Sequence, residues 1–204
     1  MGLFGGSFTF RKFRVIDEIP REFQQNLPTA LARFAFRDIN PQTNPEYSIG
    51  WVPPFDPLDK NLAVEKVVLG KYILLGIRRD KKNVSAPMLK AQTTEALRAK
   101  RRERNGRKLS KEETNEVREQ VKDALLRSIS PVTNFYEMAW NYETSEVYFS
   151  SQAAKACGEF SELFEETFKL SLEEINLVTR TEDYITDKGL GLELIDLEPA
   201  NFGA

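Results

Sequence analysis

Arg98, Lys100, Arg101, Arg102, Arg104, Arg107, Lys108 and Lys111 fall within fourteen residues that hold a single acid, Glu103. The local charge is +7 in a chain whose formal net charge is −2. Guanidinium and ammonium groups at this density displace the counterions of a polyanion, and the phosphate backbone of nucleic acid is the foremost candidate. The competing reading of such a run is an ordinary solvated helix face. A second knot, Arg78, Arg79, Lys81 and Lys82 around Asp80, lies upstream. By itself it could serve solubility at a strand exit; with the first cluster it suggests a basic surface from the base of an arm to its tip. No aromatic residue lies between Arg78 and Lys111, so phosphate contact with a duplex is favoured over base stacking. No helix-turn-helix, zinc-finger or RNP-type pattern accompanies these bases, and base readout has no support.

Other chemistries find little material. Histidine is absent and Cys157 is the single cysteine, which removes Ser-His-Asp and Cys-His catalysis, Cys/His zinc sites and internal disulfides. Carboxylates are plentiful, and a two-metal nuclease needs several converging on one point, often with a lysine. Asp56, Asp59 and Lys60 are the least implausible start of such a site, but solvated loop charges are the better reading. The glycines make no phosphate-cradling pattern. No catalytic residue, metal ligand or cofactor is assigned.

The elements that must position the bases read as follows. Phe8 to Ile16 mixes aromatic, β-branched and basic residues and reads as a strand. Pro20 can open a helix carrying Phe23, Leu27, Leu31 and Phe34, with Pro28 expected to bend or restart it. Asn40 to Pro45 is a turn-rich loop, and Tyr47 to Val52 is a strand closed by Pro53-Pro54. Val64 to Arg79 reads as two strands around Gly70-Lys71. Pro87 to Arg104 is built of strong helix formers, and Asn105-Gly106 breaks it. Ser110 then stands three before Glu113, a capping-box signature for a second helix, with Val117, Val121, Ala124 and Leu125 as its stripe and Pro131 as its stop. Tyr136, Met138, Trp140 and Tyr142 alternate on a strand, Glu143-Thr144-Ser145 turns, and Val147 to Phe149 returns. Ala156, Phe160, Leu163, Phe164 and Phe168 share one helix face. The end, from Asp187 to Ala204, is interrupted by Gly and Pro and is expected to be partly irregular; from Ser150 onward there are twelve acids against four bases.

The fold class is therefore α+β: antiparallel strands with packed helices and a projecting basic two-helix arm. Hydrophobic residues at 41% and fourteen Phe supply a core. The expected organisation is a first α/β body segment over 1–84, a helical hairpin arm over 85–130, and a second body segment with an acidic tail over 131–204. Thin apolar stripes on the arm helices suggest an excursion rather than a core element. The apolar runs are strand-length, so no membrane span is expected. The N-terminus lacks the pattern of a signal peptide. With the single cysteine, this points to the cytoplasm.

In this order of elements, particular strings stand out. They are Gly50-Trp51-Val52-Pro53-Pro54, the Phe-Arg-Lys-Phe strand upstream, Ser85-Ala86-Pro87 opening the long helix, Arg107-Lys108-Leu109, Leu126 to Pro131, the strand with Trp140, and Ser150 to Ala156. Over residues 8 to 175 the chain resembles the RdgC recombination-associated family. The resemblance implies a non-catalytic, nucleoid-associated DNA-binding protein that forms a ring-shaped homodimer around duplex DNA. It would bind without sequence preference and restrain RecA-type recombinase. The family has also carried an exonuclease label. Its full-length members extend past the equivalent of Ala204 into a part that supplies a dimer contact, so the chain reads as a short member. Carried over residue by residue, Arg107-Lys108 and the neighbouring arm bases are the binding candidates.

Two functions are expected in order. The first is sequence-independent binding of double-stranded DNA that modulates homologous recombination by limiting recombinase access, with Arg98, Lys100, Arg101, Arg102, Arg104, Arg107, Lys108, Lys111, Arg78, Arg79, Lys81 and Lys82 as the surface. The alternative is a protein-interaction module that meets a recombination partner through its acidic C-terminal half, the basic arm serving contacts between subunits. A metal-dependent exonuclease is a distant third.

Overall fold

The computed structural model describes residues 9–42, 46–105 and 107–190. Its elements in order are β1 (Arg11–Val15), α1 (Phe23–Arg33), β2 (Tyr47–Val52), α2 (Val64–Val67), β3 (Val68–Leu69), β4 (Tyr72–Lys81), α3 (Ala86–Glu103), α4 (Lys111–Ser128), β5 (Val132–Asn141), β6 (Glu146–Phe149), α5 (Ala154–Phe168), β7 (Leu172–Glu174) and α6 (Leu177–Lys188). The strands form one antiparallel sheet in the order β2-β4-β5-β6-β1-β7, with β3 paired to β4. Helices and sheet are both substantial, and the fold is α+β.

The described chain divides into two compact units. One takes the chain up to Ala35, Trp51–Ile77 and the stretch from Tyr136 onward; the other takes Phe36–Gly50 and Arg78–Phe135.

The first unit is organised by the aromatic stripe of α5. Phe160 stacks on Phe149 of β6 at 4.3 Å and meets Phe13 of β1 edge-on at 5.3 Å. Phe164 and Phe168 pack on Trp140 of β5 at 5.0 and 5.3 Å, and Phe23 of α1 meets the same indole at 5.0 Å. These rings are buried, so α5 carries the large apolar area that drives this unit together. The string Gly50–Pro54 is buried throughout. Trp51 takes part in a parallel bridge with Ala35. Its indole Nε1–H donates to Thr167 Oγ1 at 2.7 Å, and that hydroxyl donates to the Leu163 carbonyl at 2.6 Å. The string most suggestive of a family is thus a core plug with its one polar atom satisfied.

Between β6 and the edge strand β7, β1 is held by ion pairs that follow from strand pairing and the docking of α6. Arg11 reaches Glu174 at 2.9 Å, Lys12 reaches Glu146 at 2.5 Å, and Arg14 reaches Glu173 at 2.5 Å and Asp183 of α6 at 3.0 Å. The bases of the Phe-Arg-Lys-Phe strand are neutralised within the chain, and acids of the C-terminal half are their partners.

Several expectations are corrected. α1 neither starts at Pro20 nor restarts at Pro28; it runs through Pro28 as one element, because Phe23, Leu27 and Leu31 are buried along it and outweigh the missing hydrogen bond. Phe34 lies beyond the helix as its C-cap and is only half-buried. The first arm of the expected hairpin is mostly the single turn α2, leaving two residues of β3 to pair with Ile73 and Tyr72. Gly70 does make the turn, at φ +57°. β5 does not alternate cleanly: Glu137 and Asn141 are buried together with Met138, Ala139 and Trp140. Ala124 is exposed, and Leu126 replaces it in the buried set of α4. A helix not foreseen, α6, begins at an Asn176–Thr179 capping box and closes at Gly189, φ +58°. Phe8, 43–45, Gly106 and 191–204 lie outside the described residues. No helix among the described residues is long and apolar enough to cross a membrane.

Candidate nucleic-acid interface

The bases are presented by two packed helices within the second unit. Ser85 caps α3 by accepting the Met88 N–H, and Pro87 sits in the first turn, where a missing N–H does no harm. Lys100, Arg101 and Arg102 occupy the last turn, where cations complement the negative end of the helix dipole. Asn105 turns the chain at φ +53°. α4 then opens on the expected capping box: the Glu113 N–H donates to Ser110 Oγ at 3.1 Å, and the Ser110 N–H donates to Glu113 Oε2 at 2.9 Å. α3 has no buried residue, and α4 buries Val117, Leu125 and Leu126.

The eight bases of the first cluster are not equivalent. Arg98, Arg101, Arg102, Arg107, Lys108 and Lys111 are exposed, and their side chains make no hydrogen bond or ion pair among the described residues. Arg104 is ion-paired with Glu113. Lys100 is half-buried and lines a groove with Ala96, Ala99, Val117 and Val121. The Ser110 N–H, and after it Arg104, hold the Glu113 carboxyl below its ordinary range.

The second cluster is largely engaged. The Arg78 guanidinium donates to both oxygens of Asp80, at 3.0 and 2.7 Å, and lies 4.2 Å from the Phe36 ring centre. Asp80 is 2% exposed and also accepts the Thr133 hydroxyl at 2.8 Å. The guanidinium of Arg79 lies 5.9 Å from the Tyr47 ring centre. Lys82 Nζ donates to the Leu126 carbonyl at 2.6 Å, closing the last turn of α4. Lys81 is half-buried, and its side chain makes no hydrogen bond or ion pair among the described residues. Lys82 therefore ties the end of β4 to the arm, while Arg78 is held against Asp80 of its own strand and the Phe36 ring.

Sequence reasoning passed over Lys90, Asn115 and Arg118. All three are exposed and line one groove between α3 and α4, together with Thr93, Thr94 and Thr114. The spacing Lys111, Asn115, Arg118, at offsets of four and three, was the signal that could have revealed a shared face.

The suggested carboxylate site is made of turns. Asp56 Oδ1 accepts the Leu58 N–H and Asp59 Oδ1 the Asn61 N–H, both at 2.8 Å. Asp59 also pairs with Lys66 at 2.6 Å, and the Lys66 ammonium is the leading cause of its lowered pKa. Among the described residues no three His, Cys, Asp or Glu side chains are grouped so as to hold a metal ion.

A family model described as "Putative exonuclease, RdgC" matches residues 10–187. The chain belongs to the RdgC family. No curated protein matches it. RdgC membership makes this a recombination-associated protein in general terms. Within the matched span lie β1 to β7, the basic α3–α4 turn and nearly all of α6.

Proposed function

We propose that this RdgC-family chain binds double-stranded DNA without sequence preference and modulates homologous recombination by limiting access of a RecA-type recombinase, acting in the cytoplasm at the nucleoid as a homodimer. The observation that carries the reading is the contrast in charge pairing. Arg11, Lys12 and Arg14 on β1 have carboxylate partners, while Arg98, Arg101, Arg102, Arg107, Lys108 and Lys111 at the α3–α4 turn have none among the described residues. Exposed unpaired bases at one place are what counterion release requires.

The test is duplex binding across a salt series, with single-stranded DNA alongside and mass measured in solution. With about four to six phosphate contacts, log K should fall against log salt with a slope of roughly −4 to −5. A slope near zero, or strong preference for one sequence, is the result that refutes it.

The interaction-module alternative draws less support, because Glu173, Glu174 and Asp183 of the acidic half already pair with β1. For the exonuclease reading the case rests on the family's description alone, since Asp56 and Asp59 serve turns. Degradation of duplex ends with Mg²⁺ that disappears on Asp56→Ala or Asp59→Ala would reinstate it.

A further inference from the structure

The helix pair α3–α4 has two unlike sides. One groove, of about 470 Å³, is lined by Lys90, Thr93, Thr94, Thr114, Asn115 and Arg118, with Ala86 and Leu89 at its end. Among the described residues no carboxylate lines it. The other groove is lined mainly by Ala96, Ala99, Val117, Val121 and Ala124, with Lys100, Glu103 and Gln120 as its polar residues. The helical period explains the difference. On α4, Lys111, Asn115 and Arg118 recur at offsets 0, 4 and 7, while Glu112, Glu116, Glu119 and Asp123 recur at 0, 4, 7 and 11 one position later, about 100° around the helix. On α3, Lys90, Thr94, Arg98 and Arg101 recur at offsets 0, 4, 8 and 11, and Glu95 and Glu103 fall outside that stripe. From these stripes Lys90 and Thr94 of α3 and Asn115 and Arg118 of α4 line the threonine-rich groove.

We propose that the groove between α3 and α4 bounded by Lys90 and Arg118 seats the sugar-phosphate backbone of one strand of duplex DNA. The inference rests on the duplex-binding reading and extends it from the turn along the length of the arm. Lys90, Asn115 and Arg118 are exposed and have no hydrogen bond or ion pair from their side chains among the described residues. They offer two cations and a neutral amide on opposite walls of one channel. The Thr94 and Thr114 hydroxyls donate back to the Lys90 and Ser110 carbonyls, each at 2.8 Å, so the donors left for a phosphate are the side chains of Lys90, Asn115 and Arg118. Cationic and amide donors with no acid among them suit a line of phosphates. Nothing in it reads a base edge, in keeping with sequence-independent binding.

The test uses the full chain and a short blunt duplex of arbitrary sequence, followed by anisotropy across a salt series. Lys90→Gln with Arg118→Gln is compared with Arg21→Gln and Arg127→Gln, which remove the same charge from exposed positions away from the groove. Loss of two phosphate contacts should flatten the salt slope by about 1.8 and weaken binding roughly 10- to 60-fold near 0.1 M salt, with the control pair close to the parent. Asn115→Lys adds a cation within the groove and should steepen the slope by about 0.9, an effect that no misfolded variant mimics. Equal behaviour of the two double variants, or an unchanged slope in Asn115→Lys, would overturn the groove while leaving duplex binding standing. A parent chain that fails to bind duplex at all would overturn both.

Discussion

Arg104 and Glu113 form an ion pair across the turn between α3 and α4, and the same Glu113 carboxylate accepts the Ser110 backbone N–H at 2.9 Å. One acid thus caps α4 and fixes the end of α3. Its carboxyl is held below the ordinary value of 4.5, by the Ser110 N–H first and by Arg104 next. A carboxylate depressed in the folded state contributes stability that is present above its unfolded value and is lost as pH falls through the lower folded one. The turn should therefore loosen as pH drops from about 4.5 downward, read as falling protection of the Glu113 and Thr114 amides after correction for intrinsic exchange. Glu113→Gln should remove most of that pH response. Parent and variant that titrate alike would contradict this.

Arg98, Arg101, Arg102, Arg107 and Lys108 can be replaced together by Gln without touching a contact described in the fold. Arg104 is left in place because it holds Glu113. Exposed substitutions of this kind change stability within about 0.5 kcal/mol each, so melting should stay near native. Duplex affinity should fall steeply, and the salt slope should flatten by about 2 to 3 if two or three of the five reach phosphates. Native DNA affinity with altered mass in solution would instead favour contacts between subunits.

Among the described residues, Thr167 is the hydrogen-bond acceptor of the buried Trp51 indole. Thr167→Val keeps the shape and deletes the oxygen, leaving a buried N–H unpaired. Loss of about 1–3 kcal/mol is expected in denaturant melts, with duplex affinity per folded molecule unchanged. Thr167→Ser, which retains the acceptor, should recover part of the loss.

Asp80 is buried between Arg78 and Thr133. Asp80→Ala would remove the acceptor that takes two hydrogen bonds from the Arg78 guanidinium, whose side chain is 11% exposed. Removing one partner of a buried pair costs about 3–5 kcal/mol. Equilibrium unfolding should show a loss of that order, whereas Arg98→Ala at the exposed turn should show almost none.

Where neighbouring residues carry the signal, the sequence by itself was enough. Ser110 and Glu113 form the capping box because both partners lie within one turn. The apolar period of Phe160, Leu163, Phe164 and Phe168 identified α5, and Tyr47 to Val52 is the strand that its β-branched and aromatic residues suggested. The density of bases at the α3–α4 turn is likewise a property of the sequence alone. Short apolar runs were ambiguous: Val64 to Leu69 suits a strand or a helical turn equally, and burial of Val67 in α2 is a tertiary choice. α6 escaped notice because its face, with Ile185 as the one buried residue in the helix, is too thin to show a period. Only the tertiary structure decided which charges remain free. Arg11 finds Glu174 and Arg14 finds Asp183 across more than 150 residues, and that pairing follows from strand register and helix docking, which no local pattern encodes. Packing of α3 against α4 likewise set Lys90 and Arg118 along one groove, since residues on two separate helices meet only once the helices are paired.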